Sequence, residues 1–244
     1  GFVNGTGAAA QFNGPYCIVA DASGNFYVGD RINNAIRKIT PAGVVTTLAG
    51  SGTMASVDGT GTAASFAEPL GIAINSAGNL YVVDYASQKI RKVTPAGVVT
   101  TLVTGYMAFG LAVDASNVIY FTNYFQNRIY KFTEGSPTPV LVAGDTNSGN
   151  TDGTGAAARF NTPAGISVDA AGNLFVTETG NHRIRKITPA GVVSTIAGST
   201  AGFSDGDATT ARFDIPLAIA ADVSNNLLFV ADFNNSRIRT ILID

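Results

Sequence analysis

Residues 163–198 read PAGISVDAAGNLFVTETGNHRIRKITPAGVVSTIAG, and close copies of this stretch occur at four other places in the chain. Recurrence of this kind is the signature of a repeat protein, in which neighbouring copies bury one another's apolar faces. Because the shared positions build the scaffold, we look for function at the positions where one copy differs from the others.

Each copy predicts four short β-strands. In the quoted copy these are the runs rich in β-branched and aromatic residues at 165–169, 173–177, 183–188 and 192–197. Gly172-Asn173 and Pro189-Ala190-Gly191 supply the turn residues that tight hairpins need, so consecutive strands are predicted to be antiparallel. A four-stranded meander of this length cannot bury both faces alone. The copies are therefore expected to stack radially as the blades of a β-propeller.

A motif in the quoted copy carries a family resemblance. Asn181-His182-Arg183-Ile184, preceded by Asn173-Leu174-Phe175-Val176, resembles the NHL repeat, a propeller-blade family named for an Asn-His-Leu motif. The other copies are degenerate, and only this one keeps the histidine. The resemblance extends over essentially the whole chain and implies an all-β propeller of four-stranded blades.

The copies predict a single β-propeller domain over residues 1–244. Five repeats are counted, at approximately 15–50, 69–105, 109–144, 163–198 and 216–244, joined by connectors. The last repeat ends after its third strand, so its blade is expected to lack an outer strand. Six-bladed closure, which the resemblance favours, is the alternative.

Composition excludes several classes of function. With 244 residues, 45% of them hydrophobic, the chain can bury one substantial core. Some NHL propellers bind RNA, but a formal charge of −2 provides no long-range attraction for nucleic acid. No apolar run in the given sequence approaches the length of a membrane span, and we expect no signal peptide within it. Low lysine content and abundant Gly, Thr, Ser and Asn favour an extracytoplasmic bacterial protein, secreted or at the cell surface.

The single cysteine argues for a structural role. Cys17 leaves no intrachain disulfide framework and no thiolate metal cluster. It occupies the position of Gly71, Gly110 and Gly165 in the first strand of its repeat. We therefore expect a small, packed side chain.

The connectors are also repeated. Residues 1–15, 54–69, 148–163 and 202–216 each contain an Asn-Gly or Asp-Gly turn, then small residues, then Phe12, Phe66, Phe160 or Phe213. We predict a turn followed by a short helical turn whose phenylalanine packs between blades. The connector into the third repeat shrinks to about residues 104–108 and loses both features.

An acidic residue ends the second strand of four repeats, and an arginine follows it seven residues later. The pairs are Asp30 with Arg37, Asp84 with Arg91, Glu178 with Arg185, and Asp232 with Arg239. Carboxylates at such positions can act as acid and base or as metal ligands. The third repeat replaces both members together, with Asn123 and Tyr130. Because the acid and the arginine are lost together in the third repeat, we expect them to form a structural ion pair within each of the other blades.

Other catalytic and metal sites find little support. The connector acids Asp58, Asp152, Asp205 and Asp207 are too few in any one loop to converge on calcium. NHL-like lyases use several histidines for zinc, whereas His182 is the only histidine. No serine belongs to a nucleophile elbow with a second histidine. We predict no catalytic residue, no metal and no cofactor.

The third repeat is rich in aromatic residues. Between 105 and 144 it contains Tyr106, Phe109, Tyr120, Phe121, Tyr124, Phe125, Tyr130 and Phe132. Connectors and the turns between second and third strands emerge on one face of a blade, which predicts a ligand site. Its members are Tyr106, Tyr124 and Phe125, joined on the same face by Tyr85, Arg31 and Phe233. Exposed aromatics of this kind suit a sugar ring or an extended peptide. The alternative is that they fill the volume left by the missing phenylalanine.

The sequence therefore favours a non-catalytic propeller that acts as a binding scaffold for a glycan, a peptide or another protein. Two alternatives stay open. One is a lyase- or lactonase-like enzyme that holds a divalent cation on carboxylates at a central channel. The other is a trimmed or engineered repeat fragment without a function of its own.

Overall fold

The computed structural model describes residues 1–136, 138–222, 224 and 226–243. Its regular structure consists of β-strands and three single-turn 3-10 helices. The strands form five small antiparallel sheets, which are the blades of a five-bladed β-propeller. The predicted all-β class and the count of five blades are confirmed.

The strands are numbered in chain order. Blade 1 contains β1 (Gly5–Thr6), β2 (Pro15–Ala20), β3 (Phe26–Asp30), β4 (Ala35–Ile39) and β5 (Val44–Ala49). Blade 2 contains β6 (Gly59–Thr60), β7 (Pro69–Ile74), β8 (Leu80–Asp84), β9 (Lys89–Val93) and β10 (Val98–Thr104). Blade 3 contains β11 (Ala108–Val113), β12 (Ile119–Asn123), β13 (Arg128–Phe132) and β14 (Val140–Gly144). Blade 4 contains β15 (Gly153–Thr154), β16 (Pro163–Val168), β17 (Leu174–Glu178), β18 (Arg183–Ile187) and β19 (Val192–Ala197). Blade 5 contains β20 (Pro216–Asp222), β21 (Leu227–Asp232) and β22 (Arg237–Leu242).

The connectors differ from the prediction in one respect, because three of them contain a short strand before the helical turn, whereas residues 202–215 contain neither a strand nor a 3-10 helix. In blades 1, 2 and 4 this connector strand pairs antiparallel with the outer edge of the fourth strand. The pairs are Gly5 with Val45, Gly59 with Val99, and Gly153 with Val193. A 3-10 helix follows at Gly7–Ala9, Gly61–Ala63 and Gly155–Ala157. These blades therefore have five strands instead of four, which protects an otherwise open sheet edge.

Blades 3 and 5 lack this extra strand. Blade 3 is a four-stranded sheet, in keeping with its shortened connector. Blade 5 is a three-stranded sheet in the order β20-β21-β22, so the described residues contain no fourth strand for it. The expectation that the last blade lacks an outer strand concerns how the propeller closes, and it stays a prediction.

The chain forms two compact units, Gly1–Leu111 and the residues from Ala112 onward, and the division falls within β11. In the first unit, Phe66 is fully buried and packs between Ile36 of blade 1 and Val82 of blade 2. Burial of such a ring contributes a few kcal/mol to stability. The first connector is looser, since Phe12 is only half-buried.

The second unit repeats this packing twice. Phe160 is fully buried among core residues of blades 3 and 4, including Ile129 and Val176. Phe213 lies among core residues of blades 4 and 5, including Ile184 and Val230. The connector phenylalanines therefore fill the space between successive blades within each unit, as the sequence predicts.

Candidate functional site

A buried arginine on the third strand organises four of the blades. Each arginine donates from Nη1 to the acid that ends the neighbouring second strand. The N–O distances are 2.7 Å for Arg37 and Asp30, 2.9 Å for Arg91 and Asp84, 2.8 Å for Arg185 and Glu178, and 2.9 Å for Arg239 and Asp232. All four carboxylates are buried. Each of these four acids thus faces the arginine of its own blade.

The sequence did not predict a second partner for each arginine. Arg91 and Arg185 donate from Nη2 to Asp58 and Asp152, both at 2.7 Å. Arg239 bonds Asp205 in the same way, and Arg37 bonds Asn4 Oδ1 at 2.9 Å. The signal that would have revealed this is a constant separation, since each arginine follows its connector partner by 33 or 34 residues.

The connector phenylalanines complete the surroundings of these arginines. The guanidinium carbon lies 5.3 Å from the ring centre of Phe66 for Arg91 and 5.0 Å from that of Phe160 for Arg185. An arginine in contact with two carboxylates and a ring is a structural cation. No group of three or more His, Cys, Asp or Glu side chains suited to a metal ion occurs among the described residues.

Blade 3 replaces this arrangement with aromatic packing. Tyr130 stacks on Phe121 with ring centres 5.4 Å apart and an interplanar angle of 18°. Asn123 stands where the other four blades have an acid, and it donates from Nδ2 to Gln126 Oε1 at 3.1 Å. Its side chain is therefore bonded within the turn that follows β12. Phe121, Tyr130 and Phe132 are buried, and for them the core interpretation of the aromatic cluster applies.

Tyr120 also belongs to the fold. Its hydroxyl donates to Asp114 Oδ2 at 3.1 Å. Burial, together with the nearby charge of Asp114, raises the pKa of Tyr120 to about 12. This phenol therefore stays protonated at physiological pH and acts as a hydrogen-bond donor.

The predicted ligand residues of the first unit are held by other groups. Arg31 donates to Glu68 Oε2 at 2.7 Å from Nη2. Tyr85 packs edge-to-face on Phe109, with ring centres 6.4 Å apart. Tyr106 is half-buried, and its backbone N–H donates to the carbonyl of Gln88 at 3.3 Å.

The predicted residues of the second unit include a pair in direct contact. Tyr124 and Phe125 pack edge-to-face, with ring centres 5.1 Å apart and an interplanar angle of 72°. Phe125 is 56% exposed. Thr179 Oγ1, in the corresponding turn of blade 4, lies 3.4 Å from the hydroxyl of Tyr124. Phe233, in the corresponding turn of blade 5, is also exposed. These turns bring the rings of Phe125 and Phe233 to the surface.

Comparisons with known proteins place these observations in a family. The NHL repeat matches residues 160–187 and 213–241, which cover most of blades 4 and 5. The chain is 40% identical over 95 residues to the protein SUPPRESSOR OF QUENCHING 1, chloroplastic, of Arabidopsis thaliana, covering 38% of the chain and 9% of that protein. It is 37% identical over 81 residues to NHL repeat-containing protein 2 of Gallus gallus, covering 32% of the chain and 11% of that protein. The chain thus spans about a tenth of the length of these relatives.

Solved structures share the fold at lower identity. An auxiliary nutrient binding protein from Bacteroides thetaiotaomicron superposes with a TM-score of 0.67 at 21% identity, covering 95% of the chain and 69% of that protein. Virginiamycin B lyase from Staphylococcus aureus superposes with a TM-score of 0.57 at 17% identity, covering 93% of the chain and 69% of that protein. These neighbours therefore include both binding proteins and an enzyme.

One further property concerns membranes. In the part of the chain that the structure describes, no helix is long and apolar enough to cross a bilayer.

The repeats in the sequence, the five antiparallel blades and the two NHL matches together identify this chain as an NHL-repeat β-propeller.

Proposed function

We propose that this chain is a non-catalytic binding module that holds a glycan or an extended peptide against Tyr124 and Phe125. The observation that carries the proposal is the exposed ring of Phe125, fixed edge-to-face on Tyr124 in the turn between β12 and β13. An apolar ring in a surface turn contributes little to the core, and a ligand that stacks on it gains free energy by removing its apolar surface from water.

The contacts that hold Tyr124 against Phe125 favour a binding role for the exposed ring of Phe125. Thr179 is buried, and its hydroxyl lies 2.7 Å from that of Thr162 and 3.4 Å from that of Tyr124. This chain of contacts orients Tyr124, which in turn orients Phe125. A ring already held in place loses little conformational entropy when a sugar or peptide stacks on it.

The geometry of the carboxylates favours a binding module over the enzyme alternative. A catalytic cation site needs several carboxylates turned toward one point. Asp30, Asp84, Glu178 and Asp232 are instead buried, and each is bonded to an arginine of its own blade. The nutrient-binding neighbour shares the fold and offers a precedent for this class of role. We place the protein outside the cytoplasm, secreted or at the cell surface, as its composition favours.

Of the remaining predicted residues, Phe233 joins the proposal as a second exposed ring in the same unit. Arg31, Tyr85 and Tyr106 belong to the first unit. Because Arg31 is paired with Glu68 and Tyr85 packs on Phe109, we assign no ligand contact to them.

The test is a glycan and peptide array probed with the wild-type chain and with Phe125→Ala. The matched control is Ile32→Ala, because Ile32 holds the equivalent turn position in blade 1 and is also 56% exposed. We expect Phe125→Ala to weaken binding about tenfold or more, as loss of a central aromatic contact does, with an unchanged Tm. Ile32→Ala should bind as the wild type does. The proposal is wrong if the wild type binds no ligand on the array, or if Phe125→Ala binds it equally well.

A further inference from the structure

The connector of blade 1 has an amide side chain at a position where three other connectors have an acid. The residue is Asn4, and the equivalent acids are Asp58, Asp152 and Asp205. Asn4 Oδ1 accepts hydrogen bonds from Arg37 Nη2 at 2.9 Å and from the hydroxyl of Thr47 at 3.2 Å. The amide oxygen thus has the two partners, an arginine and a fourth-strand threonine, that one carboxylate oxygen has in blades 2 and 4.

The other half of the amide does not fit this arrangement. In blades 2 and 4 the second carboxylate oxygen accepts the backbone N–H of the same threonine. The N–O distances are 3.0 Å from Thr101 to Asp58 Oδ2 and 3.2 Å from Thr195 to Asp152 Oδ2. In blade 1 the corresponding atom is Asn4 Nδ2, which is a donor and cannot accept from an N–H. Among the described residues it donates to no group, so its loss would break no hydrogen bond of the fold.

The residue that follows Asn4 favours a reaction with its side chain. Gly5 has no Cβ, so its backbone nitrogen can approach the Cγ of Asn4 with little steric hindrance. Asn4 is exposed, and β1 is a two-residue strand at the outer edge of blade 1. Local opening of so short an edge strand costs little free energy, which leaves the Gly5 nitrogen free to attack.

The side-chain oxygen of Asn4 lies where negative charge is stabilised. When a nitrogen attacks Cγ, charge builds up on Oδ1, and the two donors that face this atom are the cationic Arg37 and the hydroxyl of Thr47. Donors that are already in place at a developing oxyanion lower the barrier to attack on a carbonyl. The fold therefore assists the reaction that the Asn-Gly dipeptide permits.

A second Asn-Gly dipeptide, Asn13-Gly14, provides an internal comparison. Asn13 is also exposed, but its backbone N–H donates to the buried carboxylate of Asp30 at 2.7 Å. Among the described residues, no cation donates a hydrogen bond to its side chain. A nearby negative charge without a compensating donor disfavours an oxyanion, so Asn13 should react more slowly than Asn4.

We propose that Asn4 is a self-deamidation site and that the aspartate it forms completes the connector of blade 1. The Gly5 nitrogen attacks Asn4 Cγ and gives up its proton. A five-membered succinimide forms, and the bond from Cγ to Nδ2 breaks, which releases ammonia. Water then adds to one carbonyl of the ring and reopens it. Because Arg37 and Thr47 polarise the Cγ carbonyl, we expect water to attack there, which restores the ordinary backbone and leaves a carboxylate on the side chain.

The product fits the connector better than the amide does. A carboxylate at residue 4 keeps the bonds from Arg37 and Thr47 on one oxygen and accepts the N–H of Thr47 on the other. This is the arrangement that Asp58 has with Thr101 in blade 2. The gain in stability is modest because the side chain is exposed. No residue of this site takes part in the proposed binding function, so the two proposals can fail separately.

The test incubates the full 244-residue chain at pH 8 and follows both Asn-Gly sites by peptide mass spectrometry. We expect Asn4 to deamidate at least about threefold faster than Asn13 in the same sample. Thr47→Val removes one of the two donors and should slow the reaction at Asn4 about threefold or more, as loss of one neutral hydrogen bond does. The matched control is Thr46→Val, whose side chain lies on the opposite face of β5 and which should react as the wild type does.

The product is tested separately. The synthetic peptide GFVNGTGAA reproduces residues 1–9 without either donor, and it gives the reference ratio of aspartate to isoaspartate. The folded chain should form more aspartate relative to isoaspartate than this peptide. Asn4→Asp, which has the side chain of the product, should unfold at a higher urea concentration than the wild type.

Four results would overturn the proposal. The first is deamidation of Asn13 as fast as that of Asn4, and the second is a wild-type rate at Asn4 in Thr47→Val. The third is the same ratio of aspartate to isoaspartate in the folded chain and in the peptide. The fourth is a urea midpoint for Asn4→Asp that is equal to or lower than that of the wild type, because the carboxylate would then fit the connector no better than the amide.

Discussion

His182 Nδ1 accepts a hydrogen bond of 3.2 Å from the backbone N–H of Ile215, and both residues have left-handed backbones with φ of 55° and 52°. The same relationship recurs elsewhere. Asn34 Oδ1 accepts from the N–H of Glu68 at 3.0 Å, and Asn127 Oδ1 accepts from that of Thr162 at 2.9 Å. The histidine of the NHL motif therefore links two blades by a hydrogen bond. It joins the turn between the second and third strands of blade 4 to the residue that precedes the first strand of blade 5.

This interblade hydrogen bond predicts that position 182 accepts asparagine but not alanine. His182→Asn should leave stability nearly unchanged, because asparagine offers an acceptor oxygen and tolerates a left-handed backbone, as at positions 34 and 127. His182→Ala should cost about 1–2 kcal/mol, since it removes the acceptor and places alanine at positive φ. Urea unfolding of both variants at pH 7.5 measures the difference. Equal stability of the two variants would mean that the hydrogen bond contributes nothing.

Arg185 should be among the most sensitive positions in the chain. It is fully buried and donates to Glu178 Oε2, to Asp152 Oδ1 and to the carbonyl oxygens of Arg159 and Thr151. Arg185→Met leaves the buried Glu178 carboxylate without its cation, although it still accepts hydrogen bonds from the Asn161 N–H and Asn181 Nδ2. Loss of one partner of a buried ion pair costs about 3–5 kcal/mol.

The control for this prediction is Asp152→Asn, which removes a partner that is half exposed. We expect it to cost less than about 1 kcal/mol, as solvent-exposed ion pairs do. Thermal unfolding followed by circular dichroism compares the two variants. If Asp152→Asn destabilised the chain as much as Arg185→Met, the connector carboxylate would be as important as the buried one.

Truncation of two phenylalanines to alanine should change the free energy of unfolding by very different amounts. Phe160 is fully buried between blades 3 and 4, so Phe160→Ala is expected to cost about 3–5 kcal/mol through lost burial and the remaining cavity. Phe125→Ala should change stability by no more than about 0.5 kcal/mol, because more than half of the ring is exposed. Guanidinium unfolding tests both. Strong destabilisation by Phe125→Ala would assign that ring to the core and remove the basis for a ligand there.

Cys17 should resist modification in the folded chain. Its thiol donates to the carbonyl oxygen of Leu70, and burial raises its pKa to about 12. Because only the thiolate is nucleophilic, native protein at pH 8 should react very slowly with a disulfide reagent such as DTNB. Protein in 6 M guanidinium should react at once. As this is the only cysteine, the absorbance reports one site, and rapid labelling of native protein would contradict the raised pKa of the thiol.

Part of the site could be predicted from the sequence because the contacts involved are local. The strands of blade 4, predicted at 173–177 and 183–188, are observed at Leu174–Glu178 and Arg183–Ile187. Glu178 and Arg185 meet because a four-residue turn sets the register of two antiparallel strands, and seven residues is the separation that this hairpin imposes.

The remaining contacts depend on how blades and connectors pack, which no local pattern specifies. Asp152 reaches Arg185 across 33 residues because the connector strand pairs with the outer edge of β19, and the Asp-Gly signal alone indicated only a turn. Likewise, the stacking of blade 4 beside blade 3 brings Thr179 to Tyr124 across 55 residues. The sequence by itself therefore determined the repeat, the strands and the hairpin ion pairs, since each is set by spacing within one copy. Only the tertiary structure decided which aromatic rings are core and which are exposed, because burial depends on which neighbouring strand lies alongside.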